Sequence, residues 1–176
     1  MRKILFLALA LCIAGGAKAQ LEVKVNPIGL LFGNFNVLAE TGLTENFGLE
    51  GQIGFASRDD DLGLTNYEWS AFNIGAAGKY YFNPREGFDR FYVGGYLRFN
   101  TGSWSEESGD GDFSSTRLSL GVLFGQKWVG QNGLVFELGA GAGRAIVNTI
   151  DGDDLDGLLF DIDILLRIAI GYRFGM

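Results

Sequence analysis

The segment FDIDILLRIAIGYRF, residues 160–174, decides the fold of this 176-residue chain. Large apolar side chains occupy every second position from Phe160 to Phe174, and the positions between them carry mostly aspartate, arginine and small residues. This alternation is typical of a β-strand, because successive side chains of a strand point to opposite faces. At about 3.3 Å per residue, the apolar face is on the order of 45 Å long. A tilted strand of that length can cross a bilayer.

The same alternation recurs in five segments upstream, at residues 47–55, 72–82, 91–99, 118–128 and 134–142. One face of each segment is bulky and apolar, and the other mixes charged residues, tyrosine and glycine. A water-soluble sandwich would need a dense polar exterior, which this glycine-rich second face does not supply. The second face suits the lumen of a narrow barrel instead. A closed barrel also pairs every backbone amide that lies in lipid.

The connections between these segments alternate in length. Residues 44–46, 83–88 and 130–133 are short connections, whereas 57–64, 100–114 and 148–157 are long and polar. Short periplasmic turns and long external loops are typical of outer-membrane barrels. Seven strands follow from Asn34 onward, and the topology requires one more, which we assign to Leu21–Leu31 with a tight turn near residues 32–34. Pro27 cannot donate a ladder hydrogen bond, so it marks either a bulge or the early end of this first strand.

The predicted fold is therefore all-β: an eight-stranded antiparallel transmembrane β-barrel with an up-and-down meander. Ten strands are the alternative count. Side chains fill the interior of an eight-stranded barrel, so we expect a lumen plugged by ion pairs and no open pore. The candidates for this network are Glu50, Lys79, Arg90, Arg98, Arg117, Lys127, Glu137, Asp161, Asp163 and Arg167. The candidates for an aromatic belt at the periplasmic ends of the strands are Tyr80, Phe82, Phe91, Trp128, Tyr172 and Phe174.

Residues 1–19 are predicted to be a secretory signal peptide, and residues 20–176 the barrel domain. Two basic residues precede the apolar run 4–16, and Ala17-Lys18-Ala19 supplies the small-x-small pattern that favours cleavage after Ala19. The alternative is a permanent N-terminal membrane anchor, for which the run is short. The chain is thus expected to be exported by the Sec route. The remaining 11 basic and 21 acidic residues give a net charge of −10, which argues against nucleic acid as a partner.

Histidine is absent from the chain, and Cys12 lies within the predicted signal peptide. A hydrolytic or acyl-transfer site that uses histidine as its base is therefore excluded, and we predict neither enzymatic activity nor a cofactor. Asp161 and Asp163 could in principle perform acid–base chemistry. We interpret them as structural partners of a nearby lumenal arginine, Arg167.

The predicted external loops hold 11 of the 21 acidic residues. Hard oxygen donors of this kind can bind Ca²⁺ or bridge cations between lipopolysaccharide phosphates. The alternative is that mutual repulsion only keeps the loops soluble. We predict no metal site, because the loop that most resembles a calcium loop lacks the glutamate at its twelfth position. The acidic residues of that loop are Asp151, Asp153, Asp154 and Asp156.

The export signal, the alternating strands and the ending Ile170–Phe174 resemble small outer-membrane β-barrels of Gram-negative bacteria, such as OmpX and the membrane domain of OmpA. The segment Val25–Gly33 resembles a family of such barrels whose function is unassigned. The resemblance implies residence in the outer membrane and contact with its lipid and lipopolysaccharide. It also implies insertion by the barrel-assembly machinery, which recognises a terminal aromatic residue. Tyr172 and Phe174 are the matching positions, although Gly175 and Met176 follow them.

The sequence thus predicts an integral outer-membrane protein of structural or interaction type, monomeric, without an open pore and with acidic extracellular loops. Two alternatives remain open. One is a narrow channel or porin-like passage, and the other is a secreted soluble barrel that binds a small apolar ligand.

Overall fold

The computed structural model describes residues 20–31, 33–61, 66–106, 113–150, 153–154 and 161–175. The predicted signal peptide and its cleavage point after Ala19 lie outside these residues, as do Asp151 and Asp156. Among the described residues, no helix combines the length and the apolar character that a membrane-crossing helix requires.

Nine strands and one short helix follow each other along the chain. They are β1 (Leu21–Val25), α1 (Pro27–Leu31), β2 (Asn34–Gly42), β3 (Phe47–Asp61), β4 (Asn66–Tyr81), β5 (Arg90–Glu106), β6 (Phe113–Val129), β7 (Leu134–Ile150), β8 (Asp153–Asp154) and β9 (Ile162–Phe174).

Antiparallel pairing of neighbouring strands closes the sheet into a barrel. Each of β1 to β7 pairs with the next strand, β7 pairs with β9, and β9 pairs with β1 from Leu21↔Phe174 to Val25↔Ile170. The two-residue β8 extends only the end of β7. The barrel therefore has eight strands, β1 to β7 and β9, in up-and-down order, and the predicted fold class is confirmed.

The two faces of the wall have the predicted character. Apolar side chains point outward, and Leu166 and Val122 are 76% and 68% exposed. Charged side chains such as Lys24 and Glu137 point inward and have no exposed surface. A continuous apolar outer face around a polar interior is stable only when the outer face lies in hydrocarbon. The arrangement is that of a transmembrane barrel.

The aromatic belt forms as predicted at one end of the barrel, which also carries the turns 43–46, 82–89 and 130–133. We call it the short-turn end, and the opposite end the hairpin end. All six predicted belt residues are exposed on the outer face. Neighbouring rings contact each other: the ring centroids of Tyr80 and Phe82 are 5.2 Å apart, and those of Tyr172 and Phe174 are 5.0 Å apart.

The first strand is shorter than Leu21–Leu31, because α1 replaces its second half. Asn26 is the N-cap of this helix: its Oδ1 accepts hydrogen bonds from the backbone N–H groups of Ile28 (3.1 Å) and Gly29 (3.0 Å). Pro27 occupies the first helical position, where its missing N–H costs nothing. Gly33 ends the turn with a left-handed φ of 71°. Asn-Pro was therefore a helix-start signal and not a bulge within a strand.

The alternation of side chains along β1 is a second reason why this strand ends early. In β1 the odd-numbered residues face lipid and the even-numbered ones face the lumen. An extended chain would place Ile28 and Leu30 in the polar lumen, whereas the helix leaves them 42% and 48% exposed on the outside. The apolar side chains therefore favour α1 over a longer strand.

The strands at the hairpin end are longer than predicted. Residues 57–61, 100–106 and 148–150 belong to β3, β5 and β7, although the sequence analysis assigned them to loops. The 17 residues of β5 correspond to about 56 Å, whereas a tilted membrane strand requires only about 9–11 residues. The ladder continues beyond the membrane on polar side chains, such as Ser70 and Ser103, whose hydroxyl oxygens are 2.9 Å apart. These polar residues interrupt the apolar alternation without interrupting the backbone pairing.

Arginine on the outer face is expected to destabilise the barrel in a depth-dependent way. Val122→Arg, in the middle of β6, should lower the free energy of unfolding by about 2–4 kcal/mol, because it places a charge deep in hydrocarbon. Leu134→Arg, at the short-turn end of β7, should cost only about 0–1 kcal/mol. Urea unfolding in lipid vesicles measures both. Equal costs at the two positions would contradict the membrane placement of the outer face.

Candidate functional site: the charged lumen

The short-turn half of the lumen is filled by charged side chains from seven strands. Alternation directs them all inward, and each is buried. We call this set the central charge cluster; its members are Glu22, Lys24, Glu40, Glu50, Lys79, Lys127, Glu137, Arg167 and Arg173.

Three glutamates of the central charge cluster stand side by side on the wall. Glu22 of β1 is the register partner of Glu40 of β2, which is the register partner of Glu50 of β3. Like charges directly opposite each other on neighbouring strands repel. This row is therefore stable only if cations reach it from elsewhere in the lumen.

Two lysines provide most of this compensation. The Lys24 Nζ lies 2.6 Å from Glu40 Oε2, 2.7 Å from Glu50 Oε2 and 2.5 Å from Glu137 Oε2. The Lys79 Nζ contacts the same three carboxylates at 3.0, 2.7 and 2.8 Å. Each ammonium group has three N–H donors, so both lysines use their full donor capacity on these carboxylates. Arg167 adds a further ion pair with Glu50.

At the short-turn end, a phenylalanine from the β4–β5 turn closes the lumen. Phe88 is buried, and the Lys127 Nζ and the Arg173 guanidinium carbon lie 4.4 and 4.3 Å from its ring centroid. Arg173 donates from Nε to Glu22 Oε1 at 2.8 Å and from Nη2 to the Phe88 carbonyl at 3.2 Å. Cation–π contacts and charge-assisted hydrogen bonds therefore attach the turn to the barrel mouth.

Tyrosines pack the space beside the ion pairs. The Tyr81 hydroxyl donates to Glu40 at 2.5 Å, and the Tyr92 hydroxyl donates to Glu137 at 2.6 Å. The ring of Tyr92 needs Gly125 and Gly139 opposite it, since a Cβ at either position would lie within 2.6 Å of its hydroxyl oxygen. Small lumenal residues thus provide the room for large ones, as the sequence predicted.

A second group of ion pairs lies toward the hairpin end. Asp163 accepts a hydrogen bond from the Tyr96 hydroxyl at 2.7 Å and forms an ion pair with Arg98. Asp161 pairs with Arg144 at 2.9 Å. The expected pairing of Asp161 and Asp163 with Arg167 was wrong, because Arg167 reaches the central charge cluster instead. Both aspartates are nevertheless structural partners of arginines.

The lumenal prediction is confirmed for most of its candidates. Arg90 is the exception: it lies in the left-handed region with a φ of 75°, and its guanidinium donates to the Asn83 carbonyl at 3.0 Å, outside the lumen. Arg117 donates to the Ile162 carbonyl at 2.6 Å. Four members of the central charge cluster were not among the predicted candidates: Glu22, Lys24, Glu40 and Arg173. Extending the alternation through β1 and β2 would have found the first three.

Three carboxylates of the central charge cluster could hold a cation. Single oxygens of Glu40, Glu50 and Glu137 lie within 4.8 Å of one another, which is a spacing that suits a hard metal ion. The two ammonium groups of Lys24 and Lys79 already contact all three, however, so the geometry is that of an internal salt-bridge network. Of the acidic loop residues considered for a cation, Asp153 and Asp154 form β8 beside the end of β7.

Two solved structures share this fold. Ail, the attachment invasion locus protein of Yersinia pestis, is 12% identical over 89% of this chain and 97% of its own, with a TM-score of 0.54. Neisserial surface protein A (NspA) is 16% identical over 90% of this chain and 94% of its own, with a TM-score of 0.52. Ail in complex with the heparin analogue sucrose octasulfate gives a TM-score of 0.52 at 12% identity.

Ail and NspA are small eight-stranded outer-membrane barrels, so this likeness establishes the fold. Among curated protein sequences, none is similar to the chain. The model of one family, described as "Protein of unknown function (DUF3575)", matches residues 3–151, which is most of the sequence. The chain therefore belongs to the DUF3575 family of proteins of unknown function.

Proposed function

We propose that this chain is an integral protein of the Gram-negative outer membrane, with a structural or interaction role, no enzymatic activity and no open pore. The observation that carries the proposal is the central charge cluster, which fills the short-turn half of the lumen in a barrel whose outer face is apolar. In this proposal the chain is exported by the Sec route, loses residues 1–19 and acts as a monomer. Tyr172 and Phe174 serve as the signal for the barrel-assembly machinery.

The packing of the lumen supports the proposed absence of a pore. The charged side chains of β1 to β4, β6, β7 and β9 meet near one level of the barrel and have almost no exposed surface. An ion would have to displace ammonium groups that each contact three carboxylates. Removing such partners leaves buried charges uncompensated, which is costly in a low-dielectric interior. Phe88 adds a second closure at the short-turn end.

The interaction role is assigned to the hairpin end. Its strands extend well beyond the length that hydrocarbon requires, so they project from the membrane. Eleven of the 21 acidic residues lie in the segments 59–61, 106–112 and 151–156, which the sequence predicts to be external. Such a surface favours cationic partners and divalent ions that bridge it to lipopolysaccharide phosphates.

Three measurements, on isolated outer membranes and on the purified protein, test the proposal. The protein should remain in the pellet after carbonate extraction, since an apolar outer face keeps it in lipid. It should migrate differently on a gel before and after boiling, because a folded barrel resists detergent. Reconstituted in planar bilayers, it should show no conductance steps. Extraction by carbonate would overturn the membrane assignment, and regular conductance steps from the inserted barrel would overturn the closed lumen.

Removal of one lysine from the central charge cluster is expected to destabilise the barrel strongly. Lys24→Met should lower the free energy of unfolding by about 3–5 kcal/mol, because Glu40, Glu50 and Glu137 then keep only Lys79 as a shared counter-charge. Arg90→Met is the matched control, and it should change the free energy by less than about 0.5 kcal/mol because Arg90 lies outside the lumen. Urea unfolding in vesicles compares them. Similar values for both variants would contradict the role of the network.

Ail was solved with a sulfated heparin analogue, but the acidic hairpins of this chain should repel such polyanions. We expect no retention on immobilised heparin at physiological ionic strength, where like-charge repulsion still acts within about 8 Å. A triple variant, Asp59→Lys, Asp60→Lys and Asp61→Lys, should gain retention. Retention of the unaltered protein would contradict the proposed preference for cationic partners.

A further inference from the structure

The barrel wall has a gap in its hairpin half. Pairing between β1 and β9 ends at Val25↔Ile170, although β9 begins eight residues earlier, at Ile162. The ladder between β1 and β2 ends at Val25↔Val37 and is followed by one hydrogen bond from Asn26 N to Asn36 O at 3.3 Å, although β2 begins at Asn34. With one strand missing, β9 and β2 would be about 10 Å apart in an ideal sheet. We call this gap, between residues 162–169 and 34–36, the lateral seam.

Backbone polar groups of β9 face the lateral seam. Ala145 N donates to Asp161 O at 2.7 Å, and Arg173 N donates to Gly133 O at 2.8 Å, so the odd-numbered residues of β9 bond toward β7. N–H and C=O groups alternate sides along a strand. Ile164, Leu166 and Ile168 therefore direct theirs into the seam. No strand of the described chain pairs with them there.

The helix α1 covers the lateral seam but does not pair with its edges. It contacts both β2 and β9. Its own donors are used within the turn: Asn26 Oδ1 accepts from the N–H groups of Ile28 and Gly29, and the Asn26 carbonyl accepts from Leu30 N at 3.4 Å. The polar groups of the β9 edge thus lie within the apolar band of the barrel without a ladder partner, where such groups are costly.

A cavity of about 180 Å³ joins the lateral seam to the lumen. Its outer lining includes Leu166 and Ile168 of the unpaired edge, and its inner lining includes an amide relay. In this relay the Gln52 side chain donates to Asn73 at 2.9 Å, and Asn73 donates to Asn36 at 3.1 Å. Arg98 also lines the cavity, and its buried Nε has no hydrogen-bond partner among the described residues.

We propose that the lateral seam binds a membrane amphiphile whose uncharged head, rich in hydroxyl or amide groups, enters this cavity while its hydrocarbon chain stays in the bilayer. Amide side chains and strand edges both donate and accept hydrogen bonds, which matches such a head. The guanidinium of Arg98 is already paired with Asp163, and that of Arg167 with Glu50, so an anionic head gains no free cation. The cavity volume equals about six water molecules, enough for one sugar-sized head.

Photo-cross-linking locates the occupant. The protein, taken from membranes of cells that express the full chain, is reconstituted in phosphatidylcholine nanodiscs with an alkyl glucoside that carries a diazirine in its chain. Mass spectrometry should find adducts on residues 164–168 and on α1 roughly tenfold more often than on Leu120, Val122 and Phe124 of β6, which face lipid away from the seam. Uniform labelling around the barrel would overturn the proposal. Preferential labelling by a diazirine alkyl phosphate over the glucoside would also overturn it.

Amide exchange provides a second readout that does not depend on cross-linking. Without glucoside, the amides of Ile164, Leu166 and Ile168 should exchange on the order of 100-fold faster than those of Leu165 and Arg167, which bond to β7. Added glucoside should slow the first group and leave the second unchanged. Equal exchange in both groups, or no response to the glucoside, would show that the seam is closed or empty.

Two variants separate binding from folding. Gln52→Leu removes an amide from the cavity and should reduce labelling at the seam, whereas Gln126→Leu makes the same change on β6 and should not. Heat-modifiable gel mobility shows that each variant is folded. The inference rests on the membrane placement in the proposed function but not on its closed lumen. A barrel that fails to enter nanodiscs contradicts the proposed function, while an inserted barrel without seam labelling contradicts only this inference.

Discussion

Backbone amides and carbonyls in hydrocarbon have no water to bind, so the protein itself must satisfy them, and this constraint organises the whole structure. It requires strands that pair on both edges, and the pairing of β1 with β9 provides the closure. Closure in turn creates an enclosed lumen, into which every second side chain must point. Side chains along each strand of this ring alternate between two faces. This alternation produces the charged interior, the apolar exterior and the aromatic belt.

Charged side chains occupy the short-turn half of this lumen. Nine ionised side chains occupy a volume in which apolar residues would also fit, and each carries a desolvation cost that only good geometry offsets. The geometry here is dense: Lys24 and Lys79 each contact the same three carboxylates, and tyrosine hydroxyls donate to Glu40 and Glu137. Partners come from strands far apart in sequence, such as Lys24 and Glu137. The network therefore forms only when the barrel closes, which links its stability to correct strand order.

Beside α1, the described strands leave part of the β9 edge without a ladder partner. Asn26 and Pro27 start a helical turn where the barrel needs a strand, and the polar edge of β9 is left facing the apolar band. The gap lies next to the cavity that the side chains of Gln52, Asn73 and Asn36 line. The short-turn half of the barrel holds the central charge cluster, and the hairpin half holds the lateral seam.

The sequence by itself determined the fold class, because alternation is local: residues 160–174 show both faces of a membrane strand without any knowledge of their neighbours. It also determined the belt and most lumenal residues, such as Lys79 and Glu137, since parity alone assigns a side chain to a face. The local pattern predicted the wrong structure after Asn26-Pro27, where a predicted strand competed with a helix-start signal. It also predicted too short a strand in β5, where polar residues interrupt the apolar alternation although the backbone pairing continues. Only the tertiary structure decided which charges pair, because Glu22, Lys24 and Arg167 reach across the lumen to strands that no periodicity connects. It alone also revealed the lateral seam, since a missing partner is a property of the closed ring and not of any one strand.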